Sequence, residues 1–126
     1  MPSTLDDLGA ALYVRLTTYR RDGRAVGARL PVVRDGDALA VWAGMMSGSA
    51  RRVRGRGDVL VCPCDRWGQP TGPQVPGRAT FLDLEGKQRV VALLRRKYGL
   101  LRWIIVYSGH ATRGRGSHTV IRVTLL

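Results

Sequence analysis

The densest chemistry in this 126-residue chain is a serine and arginine cluster: Ser47, Gly48 and Ser49, followed by Arg51, Arg52, Arg54 and Arg56. Hydroxyls and the unused N–H groups of a turn or helix start donate hydrogen bonds to an anion, and guanidinium adds paired, charge-assisted donors. The pattern predicts a site for a phosphorylated ligand, with Ser47, Ser49 and the backbone amides facing the phosphate and Arg51 and Arg52 neutralising it. A solvated basic helix is the competing reading of the same residues. Arg29 is a second candidate anion contact, against the alternative of a strand arginine that simply faces outward.

Other chemistries are weaker. Cys62, Cys64, His110 and His118 are four possible metal ligands, but neither the cysteine nor the histidine spacing matches a zinc finger pattern, so no metal site is predicted. The two cysteines read as small buried hydrophobes on a strand. Nine acids and two histidines assemble no Ser-His-Asp or paired-carboxylate arrangement, and no catalytic residue is designated. That absence suits an enzyme whose cofactor carries the reacting electrons and leaves the protein to position it. Trp42, Trp67 and Trp103 suit either an aromatic groove or ordinary burial. The Arg-Gly stretches at 54–57 and 113–116 resemble nucleic-acid segments, yet each is one short copy beside a strand and reads equally well as a turn. No RNA-binding motif accompanies them, so nucleic-acid binding is the runner-up reading and nucleic acid is not the expected partner.

The formal charge of +12 would gather anionic partners of any kind. Only Lys87 and Lys97 are lysines, so the excess is almost wholly arginine, which a compositional bias of the source would also produce. Residues 1–14 lack a basic segment followed by an apolar core, and the longest apolar stretch, 100–107, is interrupted by Arg102 and too short to span a bilayer. The expectation is one cytoplasmic domain over 1–126, with no membrane partner and no disulfide framework.

These residues need a scaffold, and the hydropathy pattern supplies one. A short helix is predicted over 4–11, capped by Ser3 or Thr4 with Asp6 and Asp7 in its first turn. Alternation predicts strands over 13–19, 25–33 and 38–43, joined by turns at Arg21-Asp22-Gly23 and Asp35-Gly36-Asp37. A short helix or turn over 47–56 carries the arginines, and strands follow at 58–64 and 75–82 around a breaker-rich loop at 67–73. Asp83 stands as a helix cap before 84–98, where Val90, Val91, Leu94 and Tyr98 recur at helical spacing and Gly99 marks the end. A Gly/Arg-rich loop at 108–117 and a last strand at 118–125 complete six strands, most economically closed into a barrel that hides its edges.

The phrases YVRLTTYRRDGRAV, SGSARRVRG, DVLVCPCDRWGQPTGPQVPGRA and RRKYGLLRWIIVYSG, in that order, resemble the pyridoxamine phosphate oxidase-like split-barrel superfamily. More narrowly, they resemble its actinobacterial branch of deazaflavin (coenzyme F-420)-dependent oxidoreductases. The resemblance implies a mainly β fold, a six-stranded antiparallel split barrel with peripheral helices. It further implies a homodimer that binds F-420, or alternatively FMN, in a groove between subunits and passes hydride to an unsaturated or carbonyl-containing small molecule. By the same resemblance Ser47, Gly48, Ser49, Arg51 and Arg52 hold the cofactor phosphate, while Leu30, Pro31 and Val32, with Arg29 beside them, flank the ring. Two positions depart from the family pattern: Ser49 stands where a phosphate-binding lysine is common, and Leu30-Pro31-Val32-Val33 replaces a Thr-Pro-Val-Trp-like run. Losing that charge-assisted bond removes about 1.5–3 kcal/mol unless Arg51 or Arg52 substitutes for it. A relative that no longer binds cofactor tightly is therefore a further alternative.

Overall fold

The computed structural model describes residues 4–111 and 118–126, with side chains described over 5–99 and 118–126. Helix α1 (Thr4–Ala10) leads into the antiparallel strands β1 (Tyr13–Tyr19), β2 (Ala25–Asp35) and β3 (Ala38–Gly44). Gly23 (φ 88°) and Gly36 (φ 64°) turn the two hairpins, both at dihedrals that only glycine adopts cheaply. Strand β2 outlasts its expected end because Arg34 and Asp35 still pair with Leu39 and Ala38 across the tight turn.

After α2 (Gly48–Gly55) come β4 (Asp58–Cys64), β5 (Val75–Phe81), α3 (Leu84–Ala111) and β6 (His118–Leu125). The strands close into an antiparallel barrel in the order β1-β2-β3-β6-β5-β4, with β4 returning to β1. Each described strand thus has two neighbours, and the ladder exposes no edge.

Alternation along the strands makes two cores. Leu16, Val32, Leu39, Val41, Val61 and Ile121 fill the barrel interior with Leu8 of α1 at one end. Val33, Ala40, Trp42 and Val120 point the other way and bury Val90, Leu94 and Tyr98 of α3. Asp83 caps α3 by accepting the Gly86 N–H at 2.8 Å.

The expected end of this helix needs correction. Gly99 has φ 74° and ψ 167°, the left-handed break its position suggested, but helix resumes beyond it to Ala111. Residues 100–107 and the first part of the expected 108–117 loop are therefore helical, while 112–117 lie outside the described residues. A glycine of that geometry kinks a chain whose apolar composition still favours helix on the far side.

Candidate functional site

Helix α2 is positioned by its cap and its buried face. The Ser47 hydroxyl accepts the Ala50 N–H at 3.2 Å and the Ser47 carbonyl accepts the Arg51 N–H at 3.1 Å. The amides of Gly48 and Ser49 are the two first-turn N–H groups these bonds do not use. Ser49, Ala50 and Val53 pack inward, so Gly48, Arg51, Arg52 and Gly55 share the opposite face at helical spacing.

That face borders a cleft of about 850 Å³, whose other wall is the end of β1 and its hairpin turn, with Tyr19, Arg20 and Arg21. The volume lies within the range of roughly 300–1,000 Å³ usual for small-molecule sites. Among the described residues six arginines line it (Arg20, Arg21, Arg51, Arg52, Arg54 and Arg56), and no carboxylate does.

The arginines are not equivalent. Arg56 is compensated: it donates to both carboxylate oxygens of Asp58, at 2.6 and 2.8 Å, and lies 4.3 Å from the centre of the Tyr19 ring. Arg54 donates to the Met45 carbonyl at 2.9 Å. Arg52 Nε donates to Thr18 Oγ1 at 2.6 Å, and burial, with repulsion from Arg20 and Arg51, lowers its pKa. The side chains of Arg20, Arg21 and Arg51 donate no hydrogen bond among the described residues. Among the described residues only Asp58, on Arg56, and the exposed Asp22, which feels Arg20, offset this charge, and the remaining positive excess is an arrangement that an anion would relieve.

The residues expected to form one site fall into two groups. Gly48, Arg51 and Arg52 line the cleft. Ser47 caps the helix, and Ser49 is 3% exposed beneath it. Arg29, Leu30, Pro31 and Val32 lie at the far end of the same hairpin: Tyr19 pairs with Ala25, whereas Tyr13 pairs with Pro31. Six residues of strand at about 3.3 Å each separate these ends by roughly 20 Å.

Leu30 and Val32 point into the barrel core and supply no outward wall within one chain. Arg29 donates to the Arg66 carbonyl and stacks 4.7 Å from the Tyr13 ring centre. Pro31 is buried where the Tyr98 hydroxyl accepts the neighbouring Val32 N–H at 3.1 Å.

The sequence reading counted Arg54 and Arg56 in the cluster without naming them as phosphate contacts, and it did not single out Tyr19, Arg20 or Arg21, which line the same cleft. An arginine pair directly after a predicted strand was the available signal, but which helix the turn meets is a matter of topology.

Cys62 and Cys64 are buried yet belong to neither hydrophobic cluster. They oppose Arg15 and Tyr13 on the outer face of the barrel, and burial pushes both thiols up, away from reactive thiolate. Trp42 is buried under α3 and Trp67 is exposed, while the Trp103 side chain and the 113–116 stretch lie outside what is described. Among the described residues no three of His, Cys, Asp and Glu gather closely enough to hold a metal. No described helix is long and apolar enough to cross a membrane.

No protein-family model matches the sequence, and no curated protein does. Solved structures match the fold over almost its whole length. An F420 reductase superposes with a TM-score of 0.63 at 18% identity, covering 100% of this chain and 96% of that one. An FAD-binding protein from Mesorhizobium loti gives 0.63 at 19%, covering 98% and 87%. A candidate pyridoxamine 5'-phosphate oxidase from Listeria innocua gives 0.64 at 16%, covering 97% and 87%. The fold is the pyridoxamine 5'-phosphate oxidase-like split barrel. At these identities the split barrel is what the proteins share, and the cofactors named belong to the neighbours.

Proposed function

We propose that this split barrel is an oxidoreductase that binds the deazaflavin coenzyme F-420 and serves hydride transfer to an unsaturated or carbonyl-containing small molecule. The observation that carries the reading is the cleft lined, among the described residues, by six arginines and no carboxylate, placed on a barrel whose solved likenesses include an F420 reductase. Arg51 and Arg52, with the Gly48 and Ser49 amides, hold the phosphate end and fix the cofactor's orientation. The bound cofactor supplies the hydride chemistry itself. As the split-barrel resemblance implies, the ring groove is completed by a second copy of the chain, making the working unit a homodimer. The cytoplasm is its place of action.

The test is a calorimetric titration of the apo protein with F-420 and with FMN. F-420 is expected to bind more tightly, and Arg51→Ala to weaken it about tenfold or more, the equivalent of one charge-assisted bond. Tighter FMN binding would reassign the cofactor within the same site. If neither cofactor binds at about tens of micromolar, the protein is a member of this fold without a tightly held cofactor, and the proposal fails.

A further inference from the structure

The cleft carries more charge than one phosphate requires. A phosphate set against α2 engages Arg51 and Arg52, yet Arg20 and Arg21 approach the same space from the opposite wall, on the hairpin turn. The nearby acids are already engaged: Asp22 accepts from Arg24 N and Nε at 3.1 and 2.7 Å while also feeling the Arg20 charge, and Asp58 is held by Arg56. Arg52 feels both Arg20 and Arg51 directly, and that repulsion adds to burial in lowering its pKa. One anion on the α2 wall leaves the hairpin wall with only the exposed Asp22, shared with Arg24, beside it among the described residues, whereas two linked anions satisfy both walls.

We infer that the cleft recognises a ligand bearing two linked anionic groups, and that Arg20 and Arg21 form the second anion subsite opposite Arg51 and Arg52. The shared chemistry is a pair of anions a few bonds apart, either a diphosphate or a phosphate joined to a carboxylate. This rests on reading the cleft as an anion site and extends it to a residue pair on a different element. The hairpin subsite would discriminate between ligands that place a single phosphate against α2 and those whose charge continues across the cleft.

The experiment titrates the full chain at low ionic strength with orthophosphate, pyrophosphate and phosphoglycolate. Both ligands with two linked anionic groups are expected to bind at least about tenfold tighter than orthophosphate, a difference of about 1.4 kcal/mol. The larger gain identifies which linked chemistry the site prefers. Arg20→Gln/Arg21→Gln should abolish the preference while leaving orthophosphate affinity within about threefold; Arg21→Gln alone should reduce it. Arg95→Gln/Arg96→Gln removes the same charge from exposed positions on α3 and should leave the preference intact.

Equal affinity for all three probes overturns the inference, as does an equal loss in the α3 control, which would reduce the effect to net charge. The outcome is separable from that of the cofactor titration. If the ligands with two linked anionic groups bind selectively and neither cofactor binds, the subsite stands and the deazaflavin reading falls. If F-420 binds and the probes show no preference, the reverse holds.

Discussion

The two lysines of this arginine-rich chain both end on backbone carbonyls. Lys87 Nζ donates to the His118 carbonyl at 2.5 Å, and Lys97 Nζ donates to Gly9 at 2.9 Å, to Val32 at 2.6 Å and to Ala11. A compact ammonium donates in three directions from one point, which a planar guanidinium cannot reproduce. Lys97→Met should therefore destabilise the fold by about 1–3 kcal/mol for each buried acceptor left unsatisfied, and Lys97→Arg should not restore it. Denaturant unfolding measures both.

The pH dependence of that comparison has a definite sign. Burial pushes Lys97 down to about 8 from 10.5, so between these values the unfolded chain holds a proton that the folded chain has released. The stability of wild type relative to Lys97→Met should thus be flat below pH 8 and rise between pH 8 and 10.5. A gap that stays flat over this window would show that the carbonyls hold the ammonium charged. Ser49 offers a second prediction at this scale. Because its side chain is 3% exposed beneath α2, Ser49→Lys aims an ammonium into packed structure and should lower the melting temperature instead of tightening phosphate binding.

Among the elements, α3 depends on two particular attachments. At its kink, a Cβ on Gly99 would meet nothing within 4 Å, so the cost of Gly99→Ala is purely conformational. At φ 74° and ψ 167°, that cost should be about 1–3 kcal/mol by thermal or denaturant unfolding. The second attachment is Asp35, which accepts from Arg89 of α3 at 3.1 and 2.8 Å, with Arg122 at 3.7 Å. Hydrogen bonding from Arg89 is the main cause holding this carboxyl below its ordinary value of 3.8. A depressed carboxylate pKa contributes stability that is present above 3.8 and lost as pH falls through the folded-state value. Asp35→Asn should accordingly be less stable than wild type near neutrality, with the difference disappearing in acid.

For the whole molecule, barrel closure and net charge set the behaviour. The β5–β6 seam is tight: a Cβ on Gly77 would come within 2.8 Å of Val123 Cγ1 and 3.1 Å of the Thr124 carbonyl. Gly77→Val should force the seam apart and cost about 1–3 kcal/mol, the usual range for overpacking. A net charge of +12 repels itself within one small barrel, so raising the salt from about 20 to 200 mM should increase the melting temperature in the absence of ligand. An unchanged or falling melting temperature would show that the surface charges are already balanced locally.

How much was legible in the sequence varies with the range of the interaction. The bounds of β1, β4 and β6, the turns at Gly23 and Gly36 and the cap at Asp83 follow from alternation, positive-φ glycine and carboxylate capping, all decided within a few residues. So does the capped, arginine-rich helix start at Ser47, because a cap followed by basic residues is a local pattern. Only the tertiary structure decided where that segment looks. Closing β1 on β4 sets the Tyr19 end of the hairpin, with Arg20 and Arg21, against α2 and sends Arg29 and Pro31 to the other end. The kink at Gly99 was visible but its outcome was not, since one dihedral permits either a stop or a restart. Periodicity records which side of a strand is apolar; it carries no information about which distant strand completes the ring, and the shape of the arginine cleft is a consequence of that pairing.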